Sequence, residues 1–298
     1  MRNAFCDALV AAAAARPFAF LTGDLGFMAL EPLQAAMGAR FINAGVAEAN
    51  MVSVAAGMAS GGLQAWTYSI APFVYARPFE QIRNDVCLHD LDVKLVGNGG
   101  GYGYGVMGAT HHAIEDYGVM AALQNMRVFV PAFAGDVAAI VTRMADDPHP
   151  AYLRLGRDEK PADFTLPAYA PWRKLLDGAC GVLVVVGPGA GPVLAEIAGL
   201  DPADRPELWV LSELPLPALP PALLASIAVS QALFVVEEHV AQGSVGQMLA
   251  HTLLLAGIAP RRFEHFHAHG YLSGRYGSQA WHRRENGIDA ATVLAAVR

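Results

Sequence analysis

Charge is scarce in this chain: Asp, Glu, Lys and Arg make up 16% of its 298 residues, while hydrophobic residues make up 54%. No apolar run reaches the ~20 residues that a membrane span requires, so a bilayer does not explain the surplus. The most amino-terminal apolar tract, Ala8–Ala15, is short and has neither a charged leader nor a cleavage site, which argues against a signal peptide. Basic clusters are missing beyond pairs such as Arg283-Arg284, and the net charge is −7, which excludes an electrostatic nucleic-acid footprint. Cysteine is sparse and odd in number, with Cys6, Cys87 and Cys180 far apart. That pattern excludes a disulfide framework and metal-ligand spacing, and fits free, buried thiols in a reducing cytoplasm. An apolar chain with no membrane to enter points to a large protein–protein interface, because obligate contacts resemble a core cut in half.

What is present is an alternation of short apolar strand signals with helix-length periodic segments. It predicts an α/β protein with mostly parallel sheets covered on both faces. The strands are expected at Phe18–Thr22, Ala65–Tyr68, Val93–Val96, Val128–Val130 and Tyr152–Leu155, with helices at Asn3–Ala14, Phe79–Leu88 and Asp136–Ala145. Periodicity lapses over 156–177, which holds Pro161, Pro167 and Pro171, and then restarts. The chain is thus divided into two doubly wound domains, 1–160 and 178–298, joined by a linker at 161–177. Strands at Val182–Val186, Leu208–Leu211, Leu233–Val236 and Glu264–His267 build the second, with helices at Ser244–Leu255 and Asp289–Val297. The turn Gly187-Pro-Gly-Ala-Gly191 lacks full Gly-x-Gly-x-x-Gly spacing and a ribose-reading acid, so it reads as a tight strand-to-helix turn.

Glu48 is the residue that says most. The stretch Val46–Ala59 carries one formal charge, on Glu48, in an Ala-rich helix apolar on all sides. A buried carboxylate needs a partner or a raised pKa, and such groups cluster at functional sites; the alternative is a first-turn Glu favoured by the helix dipole. Three segments converge with it. An aromatic-rich stretch runs from Tyr68 to Asn84. A loop with seven glycines between Gly97 and Gly108 ends in Thr110-His111-His112, and so many glycines allow close backbone approach to a ligand. Its adjacent histidines are candidate acid–base or hydrogen-bonding groups, or simply surface histidines. The third segment, Val235-Val-Glu-Glu-His239, closes a strand.

Together these segments resemble the pyrimidine-binding half of the transketolase family of thiamine-diphosphate enzymes. Gly45-Val-Ala-Glu48 is similar to the family's Gly-[Ile/Val]-x-Glu, and Arg77-Pro-Phe-Glu-Gln-Ile-Arg83 to its aromatic-acidic-Gln-Ile helix start. Gly108-Ala-Thr-His-His112 is similar to its Gly-x-Thr-His-Gln. Val235–His239 with Gly243-Ser-Val-Gly246 resembles the opening of its C-terminal domain. The resemblance implies that Glu48 hydrogen-bonds N1′ of the cofactor's aminopyrimidine, a donor role that suits a carboxyl in an apolar pocket. It implies that Phe73 stacks on that ring, with Tyr75 its substitute if the register shifts. Asp24 falls at a cofactor-side position, and His111 on the catalytic-loop histidine that stabilises oxyanions.

The resemblance also marks gaps. The family holds the diphosphate and Mg2+ through Gly-Asp-Gly…Asn in a preceding domain, and no Gly-Asp-Gly occurs here. A second, diphosphate-binding polypeptide is therefore expected to supply it, in a cytoplasmic α2β2 heterotetramer. At substrate positions Arg2 and Arg157 match the family's phosphate-side arginines. A sugar-reading Asp is replaced by Met107, a phosphate-contacting His falls near Gly99, and a Ser falls near Gly26-Phe27. With Tyr102, Tyr104 and His112 lining the acceptor side, these changes imply an anionic but less hydroxylated substrate. The expected reaction is transfer of a two-carbon unit between carbonyl compounds. The alternatives are the β subunit of a decarboxylating 2-oxoacid dehydrogenase, an acyloin synthase, or a non-catalytic assembly subunit.

Overall fold

The computed structural model describes residues 1–26 and 28–297 of the chain; Phe27, beside the expected serine position, lies outside the described residues. The first half contributes strands Ala19–Thr22 (β1), Phe41–Asn43 (β2), Ala65–Ile70 (β3), Val93–Asn98 (β4), Arg127–Phe129 (β5) and Ala151–Leu155 (β6). The second half contributes Trp172–Leu176 (β7), Val182–Val186 (β8), Glu207–Leu211 (β9), Glu213–Leu214 (β10), Ala232–Val240 (β11) and Arg262–Ala268 (β12). They form a seven-stranded sheet in the order β10-β5-β6-β4-β3-β1-β2 and a five-stranded sheet in the order β12-β11-β8-β9-β7. Each sheet is parallel apart from one antiparallel edge strand, β10 on β5 and β7 on β9.

The alternation of side chains along these strands explains the two-faced burial. Phe20, Trp66 and Val96 pack with Phe5, Leu9 and Ile140 on one face. Leu21, Ala65 and Leu95 pack with Met51, Val52 and Ala55 on the other. That second apolar cluster runs on through Val182, Val184, Trp209 and Val235 of the other sheet. Every residue of Val182–Val186 is buried, as a strand covered on both faces requires. No helix among the described residues is long and apolar enough to cross a membrane.

Several elements differ from the sequence reading. The segment 161–177 is not structureless throughout: its last residues form β7, whose partner β9 follows only after β8 and a helix and is invisible to local pattern. The short strand β10 returns from the second half to edge the first sheet. Helices at Glu31–Met37, Pro221–Ser230 and Gln279–Glu285 were not expected, nor was β2. The helix expected at Phe79–Leu88 is one α-turn, Phe79–Gln81, continued by a π-helical turn, Ile82–Cys87, an insertion frequent beside functional sites. All three cysteines are free; Cys6 and Cys87 are buried and Cys180 is partly exposed.

The two sheets are joined by the end of β11. Glu237, buried at 1% exposure, accepts hydrogen bonds from Val245 N at 3.0 Å, Gly246 N at 2.8 Å, His265 Nε2 at 2.7 Å and the Tyr117 hydroxyl. Glu238 accepts from Tyr102 N at 3.0 Å and Gln279 Nε2 at 3.1 Å, and pairs with Arg283. His239 receives Gly118 N at 3.1 Å and stacks on Tyr117 with ring centroids 4.0 Å apart. The segment expected to converge on Glu48 instead clamps the Gly-rich loop and the helix Asp116–Ala121 of the first sheet.

Burial by itself pushes the carboxyls of Glu237 and Glu238 up, but His265 and Tyr117 for the first, and Arg283 and Gln279 for the second, hold both below their usual range. Burial also holds His112, His239 and His282 below the ordinary histidine value. In every case a pKa depressed on folding means that the unfolded chain takes up protons first, so stability is lost as pH falls. The urea midpoint is expected to drop below about pH 6.5 as unfolded-state histidines charge, and again below about pH 4.5 as carboxylates protonate. A midpoint unchanged from pH 8 to pH 5 would contradict the histidine shifts, and one unchanged from about pH 5 to about pH 3 would contradict those of the clamp carboxylates. Glu238→Ala leaves Arg283, at 8% side-chain exposure, with Glu159 as its remaining acid partner and deprives Tyr102 N and Gln279 of their acceptor, and is expected to cost roughly 1–3 kcal/mol.

Candidate active site

Parallel strands β1 and β3 end side by side, so the loops that follow them open on one edge of the sheet, where α/β folds place ligands. Gly23 follows β1, Ser69 is the penultimate residue of β3, and Glu48 opens the helix Glu48–Ser60. Ala47 at the N-cap offers no side-chain cap, and Glu48 is the acidic residue of the first turn, a placement the helix dipole favours. Met51, Val52, Ala55 and Ala56 bury the helix against the sheet, which draws Glu48 down to 2% exposure.

The carboxylate is fully partnered. Ser69 Oγ donates to Oε1 at 3.0 Å, and Arg77 Nη1 donates to Oε2 at 2.7 Å. A Cβ on Gly23 would lie 3.1 Å from Oε1, so a side chain there would crowd the same oxygen. The surroundings of Glu48 are thus an ion pair and a hydroxyl, not the apolar pocket expected from the sequence.

Arg77 joins this carboxylate to the aromatics. Its guanidinium carbon sits 3.8 Å from the centroid of the Phe73 ring, within cation–π range. Phe73 meets His111 edge-on with centroids 5.1 Å apart, and His111 lies 5.9 Å from the Tyr104 ring. His111 Nδ1 is 2.9 Å from Thr110 Oγ1. Phe73 and Tyr75 share the helix Ala71–Tyr75, which begins with Pro72 near its first position, where a missing N–H costs nothing. The helix turns Phe73 toward Glu48's partner and Tyr75 into the core, where the Tyr75 hydroxyl donates to Glu115 Oε2 at 3.4 Å. Tyr75 therefore does not share the face that Phe73 presents.

The remaining expected residues separate into two groups. Arg2, Tyr104 and Arg157 line one open groove of about 550 Å³ with Asn98, Gly99 and Asp158. Tyr102 and His112 are buried and do not line it. The Tyr102 hydroxyl donates to Gly270 O at 2.9 Å and its ring stacks on His282 at 4.7 Å. His112 is 3% exposed, with Nε2 2.8 Å from Gly105 O and Nδ1 3.1 Å from the Tyr271 hydroxyl. Both of its ring nitrogens are used within the chain, so it supports the loop. Met107 is 54% exposed on the turn Gly105–Met107 and lies outside the groove lining. Asp24, at φ 55, is exposed and accepts a 2.8 Å hydrogen bond from Asn43 Nδ2. Asn43 in turn receives Gly45 N at 2.9 Å, which orders the approach to the Glu48 helix.

Sequence reasoning missed Ser69, Arg77 and Asn98 as site residues. The signal for Arg77 was its i+4 spacing from Phe73, which brings the two side chains together on a helical turn. Ser69 and Asn98 gave none, since they are the penultimate and the last residue of largely apolar strands.

Comparison with known proteins gives a consistent result. Residues 1–161 match the transketolase pyrimidine-binding domain. The chain is 31% identical over 267 residues to one of the subunits of apulose-4-phosphate transketolase from Actinobacillus succinogenes, covering 86% of this chain and 83% of that one. A solved structure described as a split gene transketolase, inactive beta4 tetramer, overlays with TM-score 0.79 and 28% identity, covering 99% of this chain and 96% of that one. Transketolase from Leishmania mexicana overlays with TM-score 0.75 at 18% identity, which speaks for the fold; this chain spans 44% of it.

The loop that carries these groups is fixed by backbone contact, and that is testable. A Cβ on Gly101, at φ +62, would lie 2.3 Å from Glu238 Oε2 and 2.8 Å from Arg154 Nη2. Gly101→Ala is expected to lower stability by about 1–3 kcal/mol. Gly57 has nothing within 4 Å of its Cβ position in the Glu48 helix, so Gly57→Ala is expected to raise stability by about 0.4–1 kcal/mol. Urea unfolding of both variants, with the two shifts of opposite sign, checks the account.

Proposed function

Because the chain belongs to the transketolase family, we propose that it is the pyrimidine-binding subunit of a two-subunit, thiamine-diphosphate-dependent enzyme that transfers a two-carbon unit between carbonyl compounds. A diphosphate-binding, Mg2+-holding subunit completes it, in an α2β2 assembly. The description of the similar split-gene chain as an inactive beta4 tetramer accords with a chain that needs such a partner.

One observation carries the cofactor assignment. A single planar, nitrogen-bearing group, the Arg77 guanidinium, is held edge-on by Glu48 at 2.7 Å and face-on by Phe73 at 3.8 Å. Those are the two contacts that an aminopyrimidine ring requires, so the residues present fit the group. Glu48 would hold N1′, with its other oxygen oriented by Ser69, and Phe73 would carry the ring face. When bound, the cofactor supplies an electron sink for the carbon–carbon bond that breaks. His111, in edge contact with Phe73, is placed to donate a hydrogen bond to an oxygen of the reacting carbonyl. Arg2 and Arg157 hold the anionic end of the substrate in their groove.

Arg77 occupies the pyrimidine seat in this conformation and must swing aside before the cofactor enters. A competent state that is only partly populated weakens apparent affinity by that fraction. In the reconstituted complex, Arg77→Ala is expected to tighten the cofactor Kd by severalfold, read by titration of the complex. Glu48→Ala is expected to lower turnover at least tenfold, about 1.4 kcal/mol, with assembly unchanged on size-exclusion chromatography. A smaller loss would remove Glu48 from the chemistry and favour an assembly subunit. Carbon dioxide release from pyruvate or a branched 2-oxoacid, in place of ketol transfer, would favour a decarboxylating system.

A further inference from the structure

The Gly-rich loop holds more than the histidine. Gly99 adopts φ +75, and a Cβ there would lie 2.2 Å from Tyr104 Cε2 and 2.5 Å from Cδ2. The Tyr104 ring therefore lies directly on the Gly99 α-carbon, filling the space that any side chain at position 99 would need. A Cβ on Gly103 would lie 3.0 Å from Gly100 O, so the loop doubles back tightly to bring the phenol there. The ring end lies 5.9 Å from His111. The hydroxyl end joins Asn98, Arg2 and Arg157 in the groove of about 550 Å³.

The direction of the hydrogen bond at the hydroxyl is informative. Asn98 Nδ2 donates to Tyr104 Oη at 2.8 Å, so the phenol is an acceptor toward Asn98 and its own O–H is free to donate elsewhere. Burial pushes the phenol above its ordinary value, partly offset by Asn98 and by the nearby Arg2 charge, and the group keeps its proton at neutral pH. Tyr104 thus stands between the carbonyl end of the site, at His111 and Phe73, and the anion end, at Arg2 and Arg157, with one donor to offer.

We propose that Tyr104, oriented by Asn98, is the specificity-determining residue of the acceptor site and reads an oxygen atom on the carbon between the carbonyl and the anionic group. The inference rests on the carbonyl-transfer reading above and adds one residue to it, the donor that meets the hydroxyl of a short aldehyde carrying an anionic group at its far end. A site built to hydrogen-bond a substrate oxygen rejects the analogue that lacks it, because a buried polar group is left unpaired. That acceptor differs from the hydroxyl-poor one expected from Met107, which lies outside the groove lining.

The test compares D-glyceraldehyde 3-phosphate with 3-phosphooxypropanal, which differ only in the central hydroxyl, using hydroxypyruvate as two-carbon donor and the reconstituted complex. The native complex is expected to favour the hydroxylated acceptor at least tenfold in kcat/KM. Tyr104→Phe keeps the ring on Gly99 and is expected to erase that preference. It should raise KM for the hydroxylated acceptor about tenfold and leave the deoxy acceptor within twofold. Asn98→Ala should give the same pattern with a smaller change, and Gly99→Ala, which displaces the ring, should match Tyr104→Phe. Turnover that depends on Glu48 but is shifted equally for both acceptors, or for neither, overturns the role of Tyr104 and leaves the reaction assignment standing. No Glu48-dependent turnover with either acceptor overturns both.

Discussion

Two adjacent carboxylates, Glu237 and Glu238, are the constraint on which the rest of the molecule hangs. Glu237 is buried and Glu238 mostly so at the end of β11, and each is met by several donors, from the next helix and from elements far away in sequence. Taking a carboxylate out of water is costly unless every lone pair is used. The donors to the Glu238 carboxylate are therefore committed, Tyr102 N from 136 residues away among them, and the Arg154 guanidinium ties in the same residue's main-chain carbonyl at 2.9 Å while pairing with Asp116 at 3.4 Å. The Gly-rich loop is held from behind by this network, so that its front, Tyr104 and His111, stands in a fixed relation to the sheet edge.

The same logic operates on a smaller scale at Glu48. A buried carboxylate recruits the nearest cation, and Arg77 answers, bringing its flat guanidinium onto Phe73. The guanidinium meets the carboxylate with the edge of its plane and the aromatic ring with its face, a seat that a flat cation fills. Arg77 is 43% exposed on its side chain, so the occupant is held at the rim, where exchange with solvent is open. Glu48 itself is 2% exposed, so the pair joins a buried carboxylate to a cation at the surface.

Most of the architecture was legible because strand and helix periodicities are local. The runs Val93–Asn98 and Val182–Val186 declare buried parallel strands by composition, and the order of Glu48, Phe73 and His111 along the chain declares a family. Edge elements were not legible. β7 is disguised by the prolines ahead of it, and β10 is two residues long; each exists because a partner strand offers hydrogen bonds, a fact written in distant residues.

At the site, the sequence by itself determined which chemistry-bearing residues the chain owns: one acid at a helix start, aromatics ahead of Arg77, a glycine-rich loop ending in two histidines, and arginines at positions 2 and 157. Only the tertiary structure decided which of them face the same space. His111 and His112 are neighbours in sequence, yet one touches Phe73 while the other is locked between Gly105 and Tyr271. Tyr102 and Tyr104 are two residues apart, yet one is buried on His282 and the other opens onto the groove of Arg2 and Arg157. In a loop of glycines no periodicity fixes which way a side chain points. That choice was left to long-range contacts, and here to the buried carboxylates that hold the loop's other side.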